Sequence, residues 1–209
     1  MPSFHSIGEV DQVLRAIRII SKVGPDELFR LFETRNPAYF NPKQPFGTEP
    51  DCKYDSQSYL SIFHLATNSD KLSLEKSAAN ASHAVLASEV VDGTTNFFEN
   101  IPEDCKTEFK KFIAVLVLRH IEAVCVNSVS QRHLRDLEDV TLADTYSGRI
   151  PPEKLPDLSD PKFEQYAGTL YSVFSLLNHS CDPNVHYLNH PTHGTMIVVA
   201  TRSLKKGET

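Results

Sequence analysis

An unbroken apolar run of the ~18 residues that a membrane-spanning helix needs is missing from this 209-residue chain. The first residues, Met1-Pro2-Ser3-Phe4-His5-Ser6, lack the basic-then-apolar layout of a secretion signal. Neither a membrane span nor export is therefore indicated. Cysteine is scarce: Cys52, Cys105, Cys125 and Cys181 lie far apart and form no Cys-x-x-Cys pair. That spacing excludes a closed zinc site drawn from them and favours reduced thiols, as in cytoplasm or nucleus. Positive charge is in deficit, with 21 Lys and Arg against 27 Asp and Glu and a net charge of −6, which argues against direct nucleic-acid binding. Internal repeats, low-complexity tracts and long charge blocks are absent as well, so nothing calls for a repeat architecture or a charged tail. What is present is 40% hydrophobic and 23% charged residues, enough for a chain of this length to bury roughly 70% of its unfolded surface in one or two globular units.

Helical periodicity dominates the first two thirds. Val10, Val13, Leu14, Ile17 and Ile20 recur at three- and four-residue steps and predict an amphipathic helix over 8–23, closed by Gly24-Pro25. Pro37, Pro42, Pro45 and Pro50 make 33–52 an irregular connection. Helical patterns return over 54–67, 71–91 and 107–128, with Asp92-Gly93 and Ile101-Pro102 as breaks. Plain core packing accounts for all these stripes. Five residues, Gly148, Pro151, Pro152, Pro156 and Pro161, mark a second irregular stretch. Beyond it, 184–189 and 195–202 read as strands joined by a hairpin connection at His190–Gly194. The chain is thus expected to be α+β: a helical region over 1–146, an irregular linker over 147–167, and a short β-rich piece over 168–209.

That last piece contains Asn178-His179-Ser180-Cys181-Asp182-Pro183-Asn184, which places an amide, an imidazole, a hydroxyl, a thiol and a carboxylate in one loop. Asn178, Asp182-Pro183 and Asn184 are good turn formers, so a polar turn after a buried strand is the plain reading. The string also matches the Asn-His-Ser-Cys-x-Pro-Asn signature of SET-domain methyltransferases in the form used by the SET and MYND (SMYD) family. Upstream, Gly168-Thr169-Leu170-Tyr171-Ser172-Val173-Phe174-Ser175-Leu176-Leu177 resembles that family's Gly-x-x-(Tyr/Phe)-Pro-x-x-Ser-Leu-Leu approach, with Ser172 where Pro is frequent. Downstream, the apolar Ile197–Ala200 followed by Arg202 and Gly207-Glu208 resembles its closing strand. Leu118-Arg119-His120, followed by Asn127, is similar to the tetratricopeptide-bearing branch. The fold this resemblance implies is a set of helices of the SET-insert type followed by a C-terminal segment of the SET core.

The activity it implies is S-adenosylmethionine-dependent methylation of a protein lysine. Asn178 and His179 then hold the cofactor, an amide suiting an amino-acid-like moiety because it offers donors and an acceptor together. A turn cap and a satisfied core imidazole are their rival readings. Asn127 falls where relatives carry a cofactor-contacting Asn, and closing the helix is its rival. Ser175 and Leu177 are expected to line the cofactor pocket through their backbone, with core burial the alternative for Leu177. Cys181 would be the first ligand of a zinc whose remaining ligands, a Cys-x-Cys-x-x-Cys cluster, are absent from this sequence. A free thiol is the other reading of Cys181, and a nucleophile with His179 as base a third, disfavoured because residues two apart in a tight loop seldom bring sulfur to imidazole. His186, His190 and His193 suit a solvated rim better than a metal site.

The family's catalytic Tyr lies just beyond its Gly-Glu pair, and no such Tyr, no N-terminal Gly-x-Gly loop and no cysteine-rich finger occurs here. No catalytic residue is therefore assigned, the sequence is expected to be a fragment, and alone it is expected to be inactive and to bind the cofactor weakly or undetectably. Zinc is expected only where the missing cysteines are supplied. The partner implied is a protein bearing a lysine, with a chaperone or chromatin protein open as a further class. A non-catalytic SET-like module that binds a protein partner is the alternative from a different class.

Overall fold

A computed structural model describes residues 5–34, 55–134, 163–189 and 195–205. The chain divides into two compact units, the first comprising 1–128 with Ser172–Leu176 and the second 129–171 with 177–209. Helix α1 spans His5–Val23 and α2 spans Pro25–Thr34. Gly24, at φ +89°, sits in the left-handed region between them; its N–H closes α1 on the Ile20 carbonyl at 3.0 Å while its own carbonyl accepts from Leu28 N. The sequence had marked Gly24-Pro25 as an end only. Pro25, Asp26 and Glu27 also make a good first turn, because proline tolerates position N1 and carboxylates complement the helix dipole.

Over 54–67 the expected long helix shrinks to α3, Leu60–Phe63. Polar side chains compete for the backbone here: Asp55 Oδ1 accepts from Gln57 N, Ser58 Oγ from Leu60 N, and Ser61 Oγ donates to the Ser58 carbonyl at 2.7 Å. Asn68, left-handed at φ 51°, starts a 3-10 turn at Ser69–Lys71. Helix α4, Leu74–Thr94, begins where the Ser73 hydroxyl caps Lys76 N and runs through Gly93. Helix α5, Glu103–Asn127, packs against α4 and α1. Ser88 Oγ donates to the Lys110 carbonyl, and Lys110 Nζ pairs with Glu89 and Asp92, tying the α4–α5 hairpin. Fully buried Phe109 forms the core's centre, with the rings of Phe29, Phe32, Phe98 and Phe112 at 5.2 to 6.2 Å. Among the described residues, no helix is long and apolar enough to cross a membrane.

Strand β1, Ser128–Leu134, pairs with β2, Phe163–Leu170. The first falls inside the stretch expected to be helical, and residues 163–167 of the second inside the expected irregular linker. The rest of that linker lies outside the described residues, as do His190, His193 and the hairpin connection. Strands β3, Val185–Asn189, and β4, Met196–Ala200, form the expected antiparallel hairpin, with Val185 opposite Ala200 and Asn189 opposite Met196. The architecture is α+β, helices first and short strands after.

Candidate functional site

The motif loop leaves the first unit after a 3-10 turn, Phe174–Leu176, whose Leu176 N donates to the Val173 carbonyl at 3.2 Å. It ends where Thr201 N donates to the Asn184 carbonyl at 3.0 Å, extending the β3–β4 ladder by one bond. Between these ends, Leu177–Pro183 are all exposed. Asp182 N donates to Ser180 Oγ, and that hydroxyl lies 2.9 Å from the Asp182 carbonyl, a local turn built by the side chain. Cys181 Sγ lies 3.6 Å from His179 Nε2. The Asn178 amide has no hydrogen-bond partner among the described residues, so its donors and acceptor all face solvent.

Asn127 is placed differently. It is the last residue of α5, and its Nδ2 donates to the carbonyls of Ala123 at 2.7 Å and Ala66 at 2.8 Å. That is the helix-closing use, joined to a second one, the tying of residue 66 to α5. Two turns earlier, Arg119 Nε donates to the Phe63 carbonyl at 2.6 Å with its guanidinium 4.5 Å from the Phe63 ring centre. The Tyr59 hydroxyl lies 2.8 Å from His120 Nε2. Burial holds the Tyr59 phenol well above its usual range, and the same cause, aided by the Arg119 charge, pushes His120 down to about 3. His120 is thus a neutral, fully buried imidazole bonded to Tyr59 through Nε2, with its Nδ1 left without a hydrogen-bond partner among the described residues; it is the core histidine that the sequence had offered for a different residue, His179. The sequence marked Leu118-Arg119-His120 as a family likeness without a role; the signal for a pin was two polar residues on an otherwise apolar α5 stripe.

A cleft of about 710 Å³ in the helical unit is lined by Ile19, Lys22, Leu31, Tyr59 and Ile62 among others, and the motif loop contributes none of its walls. Its charges are partly matched within it, Arg30 pairing with Glu27. The imidazole–thiol pair of His179 and Cys181, next in sequence to the exposed Asn178 amide, is the more specific arrangement. A family model for the SET domain matches residues 48–209, well over half of the chain. The chain belongs to the SET-domain family. No curated protein and no solved structure matches it. SET domains are generally protein-lysine methyltransferases and usually bind S-adenosylmethionine. The match takes in α3, α4, α5 and all four strands, whereas α1 and α2 precede it.

Within this SET domain the sequence-derived site residues fall into two sets. Asn127 and half-buried Ser175 lie in the first unit; Leu177, Asn178, His179 and Cys181 lie in the second. Leu177 is 48% exposed, which removes core burial as its explanation. Asn178 fits a cofactor with an amino-acid moiety, since an exposed, uncommitted amide can donate to a carboxylate and accept from an ammonium. Cys181 is an exposed free thiol, and among the described residues no three His, Cys, Asp or Glu side chains converge on a point that could hold a metal. Contrary to the expectation for residues two apart, the loop does bring sulfur and imidazole together. No described carboxylate or carbonyl orients the other nitrogen of His179, so the pair lacks the third member that activates a thiol nucleophile.

Proposed function

We propose that this chain is the SET portion of an S-adenosylmethionine-dependent protein-lysine N-methyltransferase of the SET-MYND type, in its tetratricopeptide-bearing branch. The observation that carries the reading is the motif loop itself: an uncommitted Asn178 amide beside an exposed imidazole, in a loop whose two ends are hydrogen-bonded in place. When bound, S-adenosylmethionine supplies a sulfonium methyl that a neutral amine takes by in-line displacement, a reaction in which alignment counts for more than a base. Asn178 and the backbone at His179 hold the amino-acid end of the cofactor, and Ser175 and Leu177 border it. Asn127 contributes through its Oδ1, because its Nδ2 already serves Ala66 and Ala123. Cys181 serves as a zinc ligand only alongside cysteines that the described residues do not include. Residues 168–209 act as the C-terminal segment of the SET core. The substrate is a lysine of a protein, reached in cytoplasm, nucleus or both.

A second reading, a SET-like module that binds a protein partner without turnover, is favoured by the hairpin. Tyr187, opposite Val198, and Val199, opposite His186, are each close to half exposed on strands that carry no charge to keep them in water. Saturation-transfer NMR with S-adenosylmethionine titrated into the millimolar range separates the two. The methyltransferase reading expects signal transfer to the methionine moiety that Asn178→Ala removes. Transfer that Asn178→Ala leaves undiminished would remove Asn178 from the site and favour the module.

A further inference from the structure

Helix α1 is lightly held compared with the helix it mainly packs on. Ala16 and Ile20 are its only buried residues among the described side chains, whereas α5 buries eight, Phe109, Ile113 and Leu116 among them. Val10 and Leu14, which belong to the same apolar stripe of α1, stay more than half exposed. An element with few buried apolar contacts opens at a lower free energy than the core it rests on.

The ground under α1 is also poor. Asn80 of α4 is 1% exposed, and neither its Nδ2 nor its Oδ1 has a hydrogen-bond partner among the described residues. Ala84 and Ala87, the buried residues that follow it on α4, have no polar side-chain group to offer it. A buried amide unmet at both ends costs free energy in the packed state, and water removes that cost once the side chain is uncovered. Lys76 Nζ pairs with Glu9 Oε1 of α1 at 2.7 Å, and Asn80, one turn further along α4, lies on the same side of the helix as Lys76. Asn80 therefore belongs to the face of α4 that is turned to α1. The Lys76–Glu9 pair is about a third exposed at each partner, so it holds α1 down only weakly. At its other end α1 meets α2 through Gly24, which is left-handed at φ +89° and has open space where a Cβ would stand.

We propose that α1 is a strap that opens about Gly24 while α4 and α5 stay folded, and that Asn80 is the residue that keeps the cost of opening low: packed under α1 its amide is unmet, and with α1 raised it is hydrated. Nothing in this opening depends on the cofactor.

Hydrogen–deuterium exchange of the full chain, read by mass spectrometry over peptides from α1 and from the middle of α5, tests this in the unaltered chain, in Asn80→Leu and in Asn80→Ala. Amides of 12–22 in the unaltered chain are expected to exchange at least about tenfold faster than those of 113–121, through an opening smaller than unfolding. Asn80→Leu removes the unmet amide and is expected to slow exchange in α1 about 5- to 150-fold. Exchange in α5 is expected to slow by the same factor, because Asn80 meets water both with the strap open and in the unfolded chain. Asn80→Ala, which needs no extra room, is expected to slow both by a smaller factor. Equal exchange in α1 and α5 of the unaltered chain overturns the strap. Slowing of α5 without slowing of α1 means that raising α1 does not uncover Asn80, and it overturns the role of that residue. Faster exchange in both variants overturns it too, because the amide is then satisfied where it stands.

Discussion

Lowering the pH from 8 to 5 is expected to unfasten α5 through His120. This imidazole is fully buried against Tyr59, and its burial and the neighbouring Arg119 charge bring its pKa from about 6.5 in the unfolded chain to about 3 in the folded one. The folded value is the lower one, so below pH 6.5 the unfolded chain binds a proton that the folded chain refuses. Stability is therefore lost as pH falls from about 6.5 towards 3, at up to about 1.4 kcal/mol per unit. At pH 5, one and a half units below the unfolded value, the loss is about 2 kcal/mol. His64, lowered by partial burial, adds in the same direction, whereas Glu122, raised by burial, opposes. Urea titrations followed by helical circular dichroism at pH 5 and pH 8, on the unaltered chain and on His120→Gln, isolate the imidazole. A Gln amide can still accept from the Tyr59 hydroxyl but does not titrate. The variant is expected to cost about 1 to 3 kcal/mol at pH 8. Between pH 8 and pH 5 it is expected to lose about 2 kcal/mol less than the unaltered chain. Equal losses for the two chains would refute the argument that His120 is buried neutral.

Two further outcomes follow from the helical core and its pin. Phe109→Ala removes the ring on which Phe29, Phe32, Phe98 and Phe112 converge, and a lowered urea midpoint equivalent to about 3 to 5 kcal/mol is expected; a change under about 1 kcal/mol would mean that the cluster is not the core's centre. Asn127→Ala takes the donor from two carbonyls and is expected to destabilise by about 1 to 3 kcal/mol, whereas an unmoved midpoint would leave contact with a cofactor as its role.

How far the fold could be read ahead depended on how local its causes are. Helices α1, α4 and α5 announce themselves by apolar spacing within their own length, and β3 and β4 by alternation around a turn. Helix α2 hid behind Gly24-Pro25, a pair that ends one helix and starts the next, so a stop signal masked a start. The overlong helix at 54–67 was a failure of a different kind, because apolar spacing ignores that Asp55, Ser58 and Ser61 offer the backbone other partners. Strand β1, Ser-Val-Ser-Gln-Arg-His-Leu, has little apolar alternation. Its pairing with β2, some thirty positions away, is information that no local window contains.

The candidate site divides along the same line. Its chemistry was legible because amide, imidazole, hydroxyl and thiol must be contiguous to share one loop, and contiguity is what a motif records. Its support was not legible, because the far end of the loop is held by a group distant in sequence, Thr201, whose N–H donates to the Asn184 carbonyl. The same distance explains why Asn127 was hard to assign from sequence. An Asn at a helix end near a family motif suits a ligand contact and a structural tie equally well until its neighbour Ala66, 61 positions earlier, is brought beside it. Once it is, the Asn127 amide nitrogen is committed and only its oxygen remains to face anything else. Helix α5 thereby ties the Tyr59–Ala66 segment at three places, through His120, Arg119 and Asn127, none of which local apolar spacing could pair with its partner.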